Sequence, residues 1–395
     1  MNLLGVNLIL LLGPTVPAPA PQPLVEALDS VEVTHNDSGR SGFQLTFKVG
    51  RSGPGGLLDY PLEQQLLLRP FNRVILLVRF TVAPEVLMDG FITQTQLTPS
   101  DEPGKSTLTV TGEDVSVMMD LVERKTGHPA QAEPVIAAAV LARYTAYLLA
   151  PPVIIPTVPF DLPPPTERIP AQAGTDFSYL NTLASRFDYI FYVRPGLFPG
   201  QNIAYWGPAV RVGLPQPALS VNQGPHSNVE QISFTYNALS PAIVIDSVLS
   251  SDFDVKLPVI ALANTLTPPL VSQQSPLFNL PHVREKKLSF TSTQGEGDGQ
   301  PQRGGMTYAQ AWAKAQAMVN DAAKEVVSAS GSLDALRYGH ILKARGLVGL
   351  RGAGLTNDGL YYVKTVSHSI RRGEYKQRFT LTREGVGTTL PVVRP

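Results

Sequence analysis

Hydrophobic and polar residues alternate with a period of two along much of residues 31–110, a pattern typical of half-buried β-strands. The alternation is clearest at residues 43–49 (FQLTFKV), which follow a turn sequence at 36–39 (NDSG). Further strands are predicted at residues 31–33, 74–80, 91–97 and 107–110. About five strands at this spacing predict a small antiparallel barrel or sandwich.

The period then changes to that of a helix. Residues 115–122 carry apolar side chains at helical spacing, and a second helix is predicted over 133–149 with Pro134 in its first turn. Thr175 predicts the N-cap of a third helix, and residues 189–194 predict a strand. Helices and strands mixed in this way indicate an α/β insert.

Strand patterns return near Val229, after which residues 294–305 (QGEGDGQPQRGG) predict an exposed loop. A helix is predicted over about 307–330, ending near Gly331. Its predicted buried stripe consists of Trp312, Ala315, Val319, Ala322 and Val326. Residues 360–382 predict a hairpin that turns at 371–374 (RRGE).

Three segments are too apolar or too rich in proline for this scheme. Residues 3–12 (LLGVNLILLL) favour a buried strand over a secretion signal, because no basic residue precedes Arg40, and they are too short for a membrane-spanning helix. Residues 13–23 are predicted to be extended or polyproline-like, and residues 150–170 to be a connector that is neither helix nor strand. The proline-rich stretch 257–281 has no assigned role.

Composition narrows the classes of function. Hydrophobic residues make up 43% of the 395 and charged residues only 16%, which predicts a buried core and excludes wholesale disorder. The 32 basic and 32 acidic side chains cancel, so attraction of the whole chain to nucleic acid or to an anionic membrane is not expected. The sequence contains no cysteine, which excludes disulfides, thiolate metal sites and cysteine nucleophiles.

No motif in the sequence supports catalysis. The six histidines show no metal-binding spacing, and His35 and His368 are interpreted as packed or edge residues of strands. Nucleotide-binding loops and nucleophile elbows are also absent from the sequence. A carboxylate pair for glycoside hydrolysis could be assembled, but nothing singles out two residues. We therefore predict no catalytic residue, no cofactor and no metal site.

Two groups of residues are candidates for contacts with a partner. Basic residues outnumber acidic ones between 337 and 383, either as the solvated exterior of a barrel or as a contact surface for an acidic partner or for nucleic acid passing nearby. Tyr205 and Trp206 could anchor an interface if exposed, and a core role is an equal alternative. The basic candidates are Arg371, Arg372, Lys376 and Arg378.

Three segments together resemble one protein family. Residues 88–92 (MDGFI) with 108–114 (LTVTGED), residues 174–180 (GTDFSYL) and residues 359–385 (GLYYVKTVSHSIRRGEYKQRFTLTREG) are similar to segments of baseplate hub proteins. These are the late-control-D type hubs of contractile phage tails, related injection particles and the N-terminal part of type VI secretion spike proteins.

The resemblance implies an α+β, mainly β fold with two tube-like antiparallel β-barrel domains and an intervening α/β insert. The expected domains are 1–125 (first barrel with an N-terminal extended arm), 126–225 (α/β insert with the proline-rich connector) and 226–395 (second barrel with the inserted loop and helix at about 307–330).

The resemblance also implies a structural, non-enzymatic role. Three chains would form a pseudo-sixfold ring that joins the hexameric inner tube to a trimeric spike and surrounds the cargo channel. Expected partners are the inner tube or a tube-initiator protein, a separate spike protein, wedge or sheath subunits, and tape measure or cargo in the lumen. Neither specific nucleic-acid binding nor membrane insertion is expected. Assembly in the bacterial cytoplasm would precede incorporation into a tail-like particle.

Two other hypotheses stay open at this point. One is a tail-associated hydrolase of peptidoglycan or another cell-wall polysaccharide. The other is a β-rich binding domain unconnected with tails, which would be monomeric.

Overall fold

The computed structural model describes residues 2–3, 6–14, 16–50, 66–79, 84–102, 105–148, 150–157, 169–249, 256–266, 270, 283–288 and 308–387. The predicted loop at 294–305 lies outside these residues, as do residues 158–168 of the predicted connector 150–170 and residues 267–269 and 271–281 of the proline-rich stretch 257–281. Within the described part of the chain, no helix has the length and apolar character needed to cross a membrane.

The first part of the chain is mostly β-structure. Its strands are β1 (Asn2–Leu3), β2 (Val6–Gly13), β3 (Ala18–Pro19), β4 (Leu28–Asn36), β5 (Gly42–Lys48), β6 (Arg73–Arg79), β7 (Pro84–Thr98) and β8 (Thr107–Asp114). One short helix, α1 (Gln22–Ala27), lies between β3 and β4, and Leu66–Leu68 form a 3₁₀ turn. The predicted N-terminal strand and the alternating strands are confirmed.

The middle of the chain mixes helices with short strands, as predicted. It contains β9 (Glu123–Gly127), α2 (Glu133–Leu141), α3 (Thr145–Leu148), β10 (Val153–Ile154), β11 (Ala171–Thr175), α4 (Asp176–Ser185), β12 (Tyr189–Pro195) and β13 (Asn202–Pro208). Strands β10, β13 and β12 form one small sheet, and β9 pairs with β11. The N-cap prediction at Thr175 is confirmed, since its Oγ1 accepts the backbone N–H of Ser178 at 3.2 Å.

The last part returns to β-structure around one long helix. Its elements are β14 (Gln216–Ser220), β15 (Val229–Tyr236), β16 (Ala242–Leu249), β17 (Lys256–Ala261), β18 (Arg284–Lys286), α5 (Tyr308–Lys324), β19 (Val327–Asp334), α6 (Ala335–Tyr338), β20 (Leu347–Arg351), β21 (Gly359–Arg371) and β22 (Glu374–Arg383). A 3₁₀ turn at Gly224–His226 precedes β15. The predicted hairpin is confirmed, with Arg371 opposite Glu374 at its turn.

Helix lengths are where the predictions were wrong. Residues 115–122 form only a 3₁₀ turn at Val115–Met119, capped by Asp114, and the helix predicted over 133–149 is interrupted by a 3₁₀ turn at Ala142–Tyr144. The predicted connector contains the short strand β10, because Val153 and Ile154 pair with β13.

The helix predicted over 307–330 ends at Lys324, because residues 327–334 pair with strands on both sides as β19. Trp312 does not belong to the buried stripe, since it is 40% exposed. Gly331 lies inside β19, where a Cβ would be 2.5 Å from the carbonyl oxygen of Gln231, rather than at a helix end.

Among the described residues, the largest sheet has 14 strands. Its main path runs β1-β2-β6-β7-β8-β5-β4-β21-β22-β19-β15, with β3, β14 and β20 attached beside it. Strands from both ends of the sequence therefore share a sheet, joined where β4 pairs antiparallel with β21. One apolar core also contains residues of both β regions, from Leu8 to Leu381. The mainly β, α+β fold is thus confirmed, and the domain boundaries stay predictions.

The sheet contains the same five-stranded unit twice. We call β4, β5, β6, β7 and β8 the N-repeat, and β15, β19, β20, β21 and β22 the C-repeat. In the N-repeat, β4 pairs with β5, β5 with β8, β8 with β7, and β7 with β6. In the C-repeat, β15 pairs with β19, β19 with β22, β22 with β21, and β21 with β20. In both repeats the strands therefore lie side by side in the order first, second, fifth, fourth, third along the chain.

The register of the two repeats is also the same. Arg73 lies opposite Phe91 in the N-repeat, and Leu347 lies opposite Tyr362 at the equivalent place in the C-repeat. The irregularity between the first two strands falls after Leu28 in one repeat and after Val229 in the other.

The irregularity between the fourth and fifth strands matches as well, falling before Gln94 in the N-repeat and before Thr365 in the C-repeat. Shared bulges fix the equivalence of individual residues, because an extra residue in one strand shifts every later pair.

Candidate assembly surfaces

Eight successive strands of the sheet present one continuous polar face. They run β7-β8-β5-β4-β21-β22-β19-β15 and are antiparallel throughout. Directly opposed residues of antiparallel strands point to the same face, so the register places three polar side chains per strand side by side. None of these side chains is buried.

We call these residues the polar face. In strand order they are Gln94, Gln96, Thr98, Thr107, Thr109, Thr111, Gln44, Thr46, Lys48, Ser30, Glu32, Thr34, Thr365, Ser367, Ser369, Lys376, Arg378, Thr380, Ser328, Ser330, Ser332, Gln231, Ser233 and Thr235.

The polar face carries few charged side chains: one is acidic and three are basic, a formal net charge of +2 among 24 residues. All of its residues are Ser, Thr or Gln except Glu32, Lys48, Lys376 and Arg378. Lys48 is paired with Asp29 at 2.8 Å. Hydroxyl groups also meet across strands, as at Thr34 and Ser367, whose Oγ atoms are 2.9 Å apart. The face can therefore be wetted but offers little fixed charge to hold an ionic ligand.

The opposite face of the same strands is the apolar core, and it contains a buried polar cluster around His368. Nδ1 of His368 is 2.9 Å from the Tyr375 hydroxyl and 3.2 Å from Nε2 of Gln377. Burial lowers the pKa of His368 to about 3, so the ring is neutral at physiological pH. The rings of His35 and His368 lie 5.3 Å apart, and burial together with His368 and Arg345 lowers the pKa of His35. Both histidines are packed strand residues, as predicted.

Each end of the eight-stranded path has an edge without a strand partner in the part of the chain that the structure describes. At one end, β15 pairs only with β19. At the other end, β6 and its preceding loop pair with β7 only as far as Ile92, and among the described strands residues 94–98 pair with β8 alone. Thr93 to Gln96 are exposed on both sides of the strand. Unpaired edges of this kind accept another strand.

Three of the four basic candidates lie on or beside the polar face. Arg378 and Lys376 belong to it, and Arg371 follows Ser369 at its end. Lys376 lies 3.3 Å from both Glu230 and Glu374, which neutralise it. Arg372 is at the hairpin turn, where its Nη2 donates to the carbonyl oxygen of Glu26 at 2.7 Å. Their contact with a partner stays a prediction.

The aromatic candidates are not exposed anchors. Trp206 is fully buried in the insert, where its Nε1 donates to the Leu180 carbonyl at 3.2 Å, so the core interpretation is the correct one. Tyr205 is half-buried, stacks on Tyr192 at 5.0 Å between ring centroids, and donates its hydroxyl to the Pro208 carbonyl. Burial and neighbouring tyrosines raise the pKa of Tyr205 to about 12.

Sequence reasoning missed the polar face because it read the alternating strands only for their apolar positions. The signal was present in the polar positions themselves. In 107–111 and 328–332 these positions are Thr or Ser throughout, whereas protein surfaces that face bulk solvent usually carry many charged side chains of both signs.

The structure resembles solved tail proteins over almost its whole length. It aligns with the tail protein from Neisseria meningitidis MC58 at a TM-score of 0.63 and 12% identity, covering 97% of this chain and 98% of that one. It aligns with the 43 kDa tail protein of prophage MuSo2 from Shewanella oneidensis at a TM-score of 0.61 and 11% identity, covering 95% and 98%.

The structure also resembles proteins of type VI secretion systems. An E. coli component of that system, described as structurally similar to the T4 bacteriophage tail proteins gp27 and gp5, aligns at a TM-score of 0.51 and 10% identity, with 93% of this chain and 78% of that chain covered. A chain of the Francisella PdpA–VgrG complex aligns at a TM-score of 0.56 and 9% identity, and all of this chain covers 60% of that one.

No protein-family model and no curated protein sequence matches the chain. At identities of 9–12% the structural similarity shows the fold. The chain has the tail-hub fold that phage tail proteins share with proteins of type VI secretion systems.

Proposed function

We propose that the protein is the hub of a phage-tail-like particle, in which three copies form a ring around a channel and join the inner tube to the spike. The observation that carries this proposal is the duplicated sheet, with one polar face and, among the described strands, an unpaired edge at each end. A subunit with two complementary edges forms a closed ring when the rotation between copies is right.

Three copies are favoured by the repeat. Two equivalent units per chain give six in a trimer, so the upper surface of the ring can match a sixfold tube while its lower surface keeps threefold symmetry for a spike. Three copies of the eight strands give a 24-stranded wall. At ~4.8 Å per strand this wall is about 115 Å around and about 37 Å across, wider when the strands tilt.

The polar face would line the channel. Its hydroxyl and amide groups exchange hydrogen bonds readily with water, and its few charges are partly paired. A wall with few unpaired charges would let DNA, a tape-measure protein or a protein cargo move with little retention by ion pairs. The apolar face of the sheet is already covered by the core of the chain.

The experiment is the mass of the purified protein by light scattering after size exclusion, with electron-microscopy class averages of the same peak. We expect three times the chain mass of 42.6 kDa and a sixfold-looking ring with a central hole. A protein that stays monomeric even when co-expressed with its spike would contradict the proposal.

The proposed role needs no catalysis. The ring would contact the tube, spike and wedge or sheath subunits of the particle through its two rims. The hydrolase hypothesis is tested by zymography of the same peak on cell-wall material, where a lytic band from pure protein would contradict a purely structural hub.

A further inference from the structure

The junction between the two repeats shows how one repeat joins the next. It consists of the first strand of the N-repeat, β4, paired antiparallel with the fourth strand of the C-repeat, β21. In this internal junction Thr34 lies opposite Ser367 and Glu32 lies opposite Ser369.

The strands at the two ends of the eight-stranded path are the remaining halves of the same junction. β15 is the first strand of the C-repeat, and β7 is the fourth strand of the N-repeat. The path has an even number of strands, so β15 of one copy is antiparallel to β7 of the next when the alternation continues. Each of the two unpaired edges is therefore the kind of strand that the other pairs with in the internal junction, and the two strands run in the opposite directions that an antiparallel pair requires.

We infer that β15 of one copy pairs with residues 94–98 of β7 in the next copy, in the register of the internal junction. This inference rests on the proposed ring and specifies its subunit contact. Counted from the shared bulges, Thr235 is equivalent to Thr34 and Gln96 to Ser367, so Thr235 lies opposite Gln96 of the next copy. Ser233 then lies opposite Thr98.

On the side of the sheet that faces the core, this register brings apolar residues of the two copies together. Phe234 and Leu97, each half-buried in the single chain, become directly opposed. Tyr236, which is 59% exposed, lies opposite Thr95. Cross-strand contacts between an aromatic and an aliphatic side chain stabilise sheets, and here they also cover surface that the single chain leaves in water.

A second feature of the repeats supports the same contact. In the internal junction, Arg345 reaches across to the N-repeat, where its Nε donates to the carbonyl oxygen of Asn36 at 2.7 Å. Phe71 is its equivalent in the N-repeat: φ is 66° at Phe71 and 68° at Arg345. The backbone N–H groups of Phe71 and Arg345 donate to Ile92 and to Val363 respectively, at 2.8 Å in both cases.

Phe71 would therefore reach across the subunit contact as Arg345 reaches across the internal one. Its side chain is 54% exposed in the single chain. The residue equivalent to Asn36 is Asn237, and Leu239 beside it is 65% exposed. The exposed apolar residues at the two ends of the path thus fall on the two sides of one contact.

The absence of cysteine from the sequence allows a direct test by disulfide cross-linking. The double variant Gln96→Cys with Thr235→Cys, oxidised mildly, should give covalent dimers and trimers on a non-reducing gel. The two positions lie at opposite ends of the path, ~34 Å apart along the sheet of one chain at ~4.8 Å per strand, so a bond within one chain is excluded. Thr98→Cys with Ser233→Cys is a second in-register pair.

Two control variants fix the interpretation. Gln94→Cys with Ser233→Cys is out of register by four residues, or ~13 Å, and should not cross-link. Thr34→Cys with Ser367→Cys repeats the internal junction and should form a bond within one chain, without a change in mass. Efficient cross-linking of both in-register pairs and not of the shifted pair supports the inference.

The contrary outcomes are distinguishable. A trimer by light scattering in which only the shifted pair, or no pair, cross-links overturns the register and leaves the hub proposal standing. A protein that stays monomeric in the presence of its spike overturns the hub proposal and the contact together.

Discussion

The proton on His368 is placed by its neighbour Gln377. The amide of Gln377 is fixed by the backbone of Leu342, because its Oε1 accepts the N–H at 3.1 Å and its Nε2 donates to the carbonyl at 2.9 Å. The group facing His368 is therefore the NH₂, and Nδ1 of the ring must accept. A protonated ring would direct its Nδ1–H at the NH₂ donor of Gln377, so the buried site favours the neutral form.

This arrangement predicts a loss of stability in mild acid. Burial lowers the pKa of His368 to about 3, below its ordinary value near 6.5, so as pH falls the unfolded chain binds the proton first. The stability is therefore fully present above pH ~6.5 and decreases below it, by ~1.4 kcal/mol per pH unit. In the variant His368→Gln, the decrease between pH 6.5 and pH 5 should be about 2 kcal/mol smaller.

Urea unfolding at several pH values measures this difference. The matched control is His226→Gln, because His226 is exposed and the substitution should leave the pH dependence unchanged. Equal pH slopes for the parent protein and His368→Gln would contradict the buried, neutral histidine.

At the scale of strands, the sequence predicted elements better than it predicted their ends. Alternation located β5, β8 and the β21–β22 hairpin because each has one buried face. The end of α5 was missed because Val326 and Val327 continue the helical spacing, and β19 forms only through partners more than 40 residues away on one side and more than 90 on the other. Local periodicity carries no information about such partners.

The two repeats were missed for a related reason. Core residues that lie opposite each other are matched to one another in size, so equivalent positions of the two repeats can carry different residues. Phe43 lies opposite Gly112 in the N-repeat, and the equivalent pair in the C-repeat is Ala329 and Leu381. A Cβ on Gly112 would be 2.2 Å from the Phe43 ring, so the large residue requires the small one. The pair fills similar space in both repeats while neither residue type is kept, which hides the duplication from the sequence.

Gly331 tests this pairing of large and small residues within β19. A Cβ there would lie 2.5 Å from the carbonyl oxygen of Gln231 and 2.7 Å from Cζ of Phe379. Gly331→Ala should therefore lower the free energy of unfolding by about 1–3 kcal/mol through overpacking. Ser330→Ala, its neighbour on the polar face, should change it by less than about 0.5 kcal/mol. Denaturant midpoints measure both, and a Gly331→Ala midpoint equal to the parent's would show that the sheet accommodates the side chain.

At the scale of the whole molecule, the sequence predicted the class of fold but not the order in which its strands pair. The order β, α/β, β and the resemblance of three short segments to hub proteins gave a mainly β protein with an insert. The continuous eight-stranded path, its polar face and its complementary edges depend on the pairing of β4 with β21, more than 300 residues apart. The basic hairpin was noticed for its charge, whereas the structure places it within a surface defined by hydroxyl and amide groups.

The ring proposal predicts that the two sides of β15 differ in their tolerance of charge. Phe234 points to the core side, where it would meet Leu97 of the next copy, and Thr235 points to the polar face beside water. Phe234→Lys should convert the trimer to folded monomer, since an inward-pointing charge at an edge blocks pairing. Thr235→Lys should leave the trimer intact, because its side chain can extend into the channel.

Light scattering of the two variants distinguishes these outcomes, and thermal unfolding shows whether the monomer keeps its fold. Phe234 is only half-buried in the single chain, so its replacement should cost the monomer less than the ~3–5 kcal/mol typical of a fully buried phenylalanine. Two trimeric variants would mean that β15 is not at the subunit contact. Loss of the trimer in Thr235→Lys with its retention in Phe234→Lys would place the polar face, rather than the core side of the edge, against the neighbouring copy.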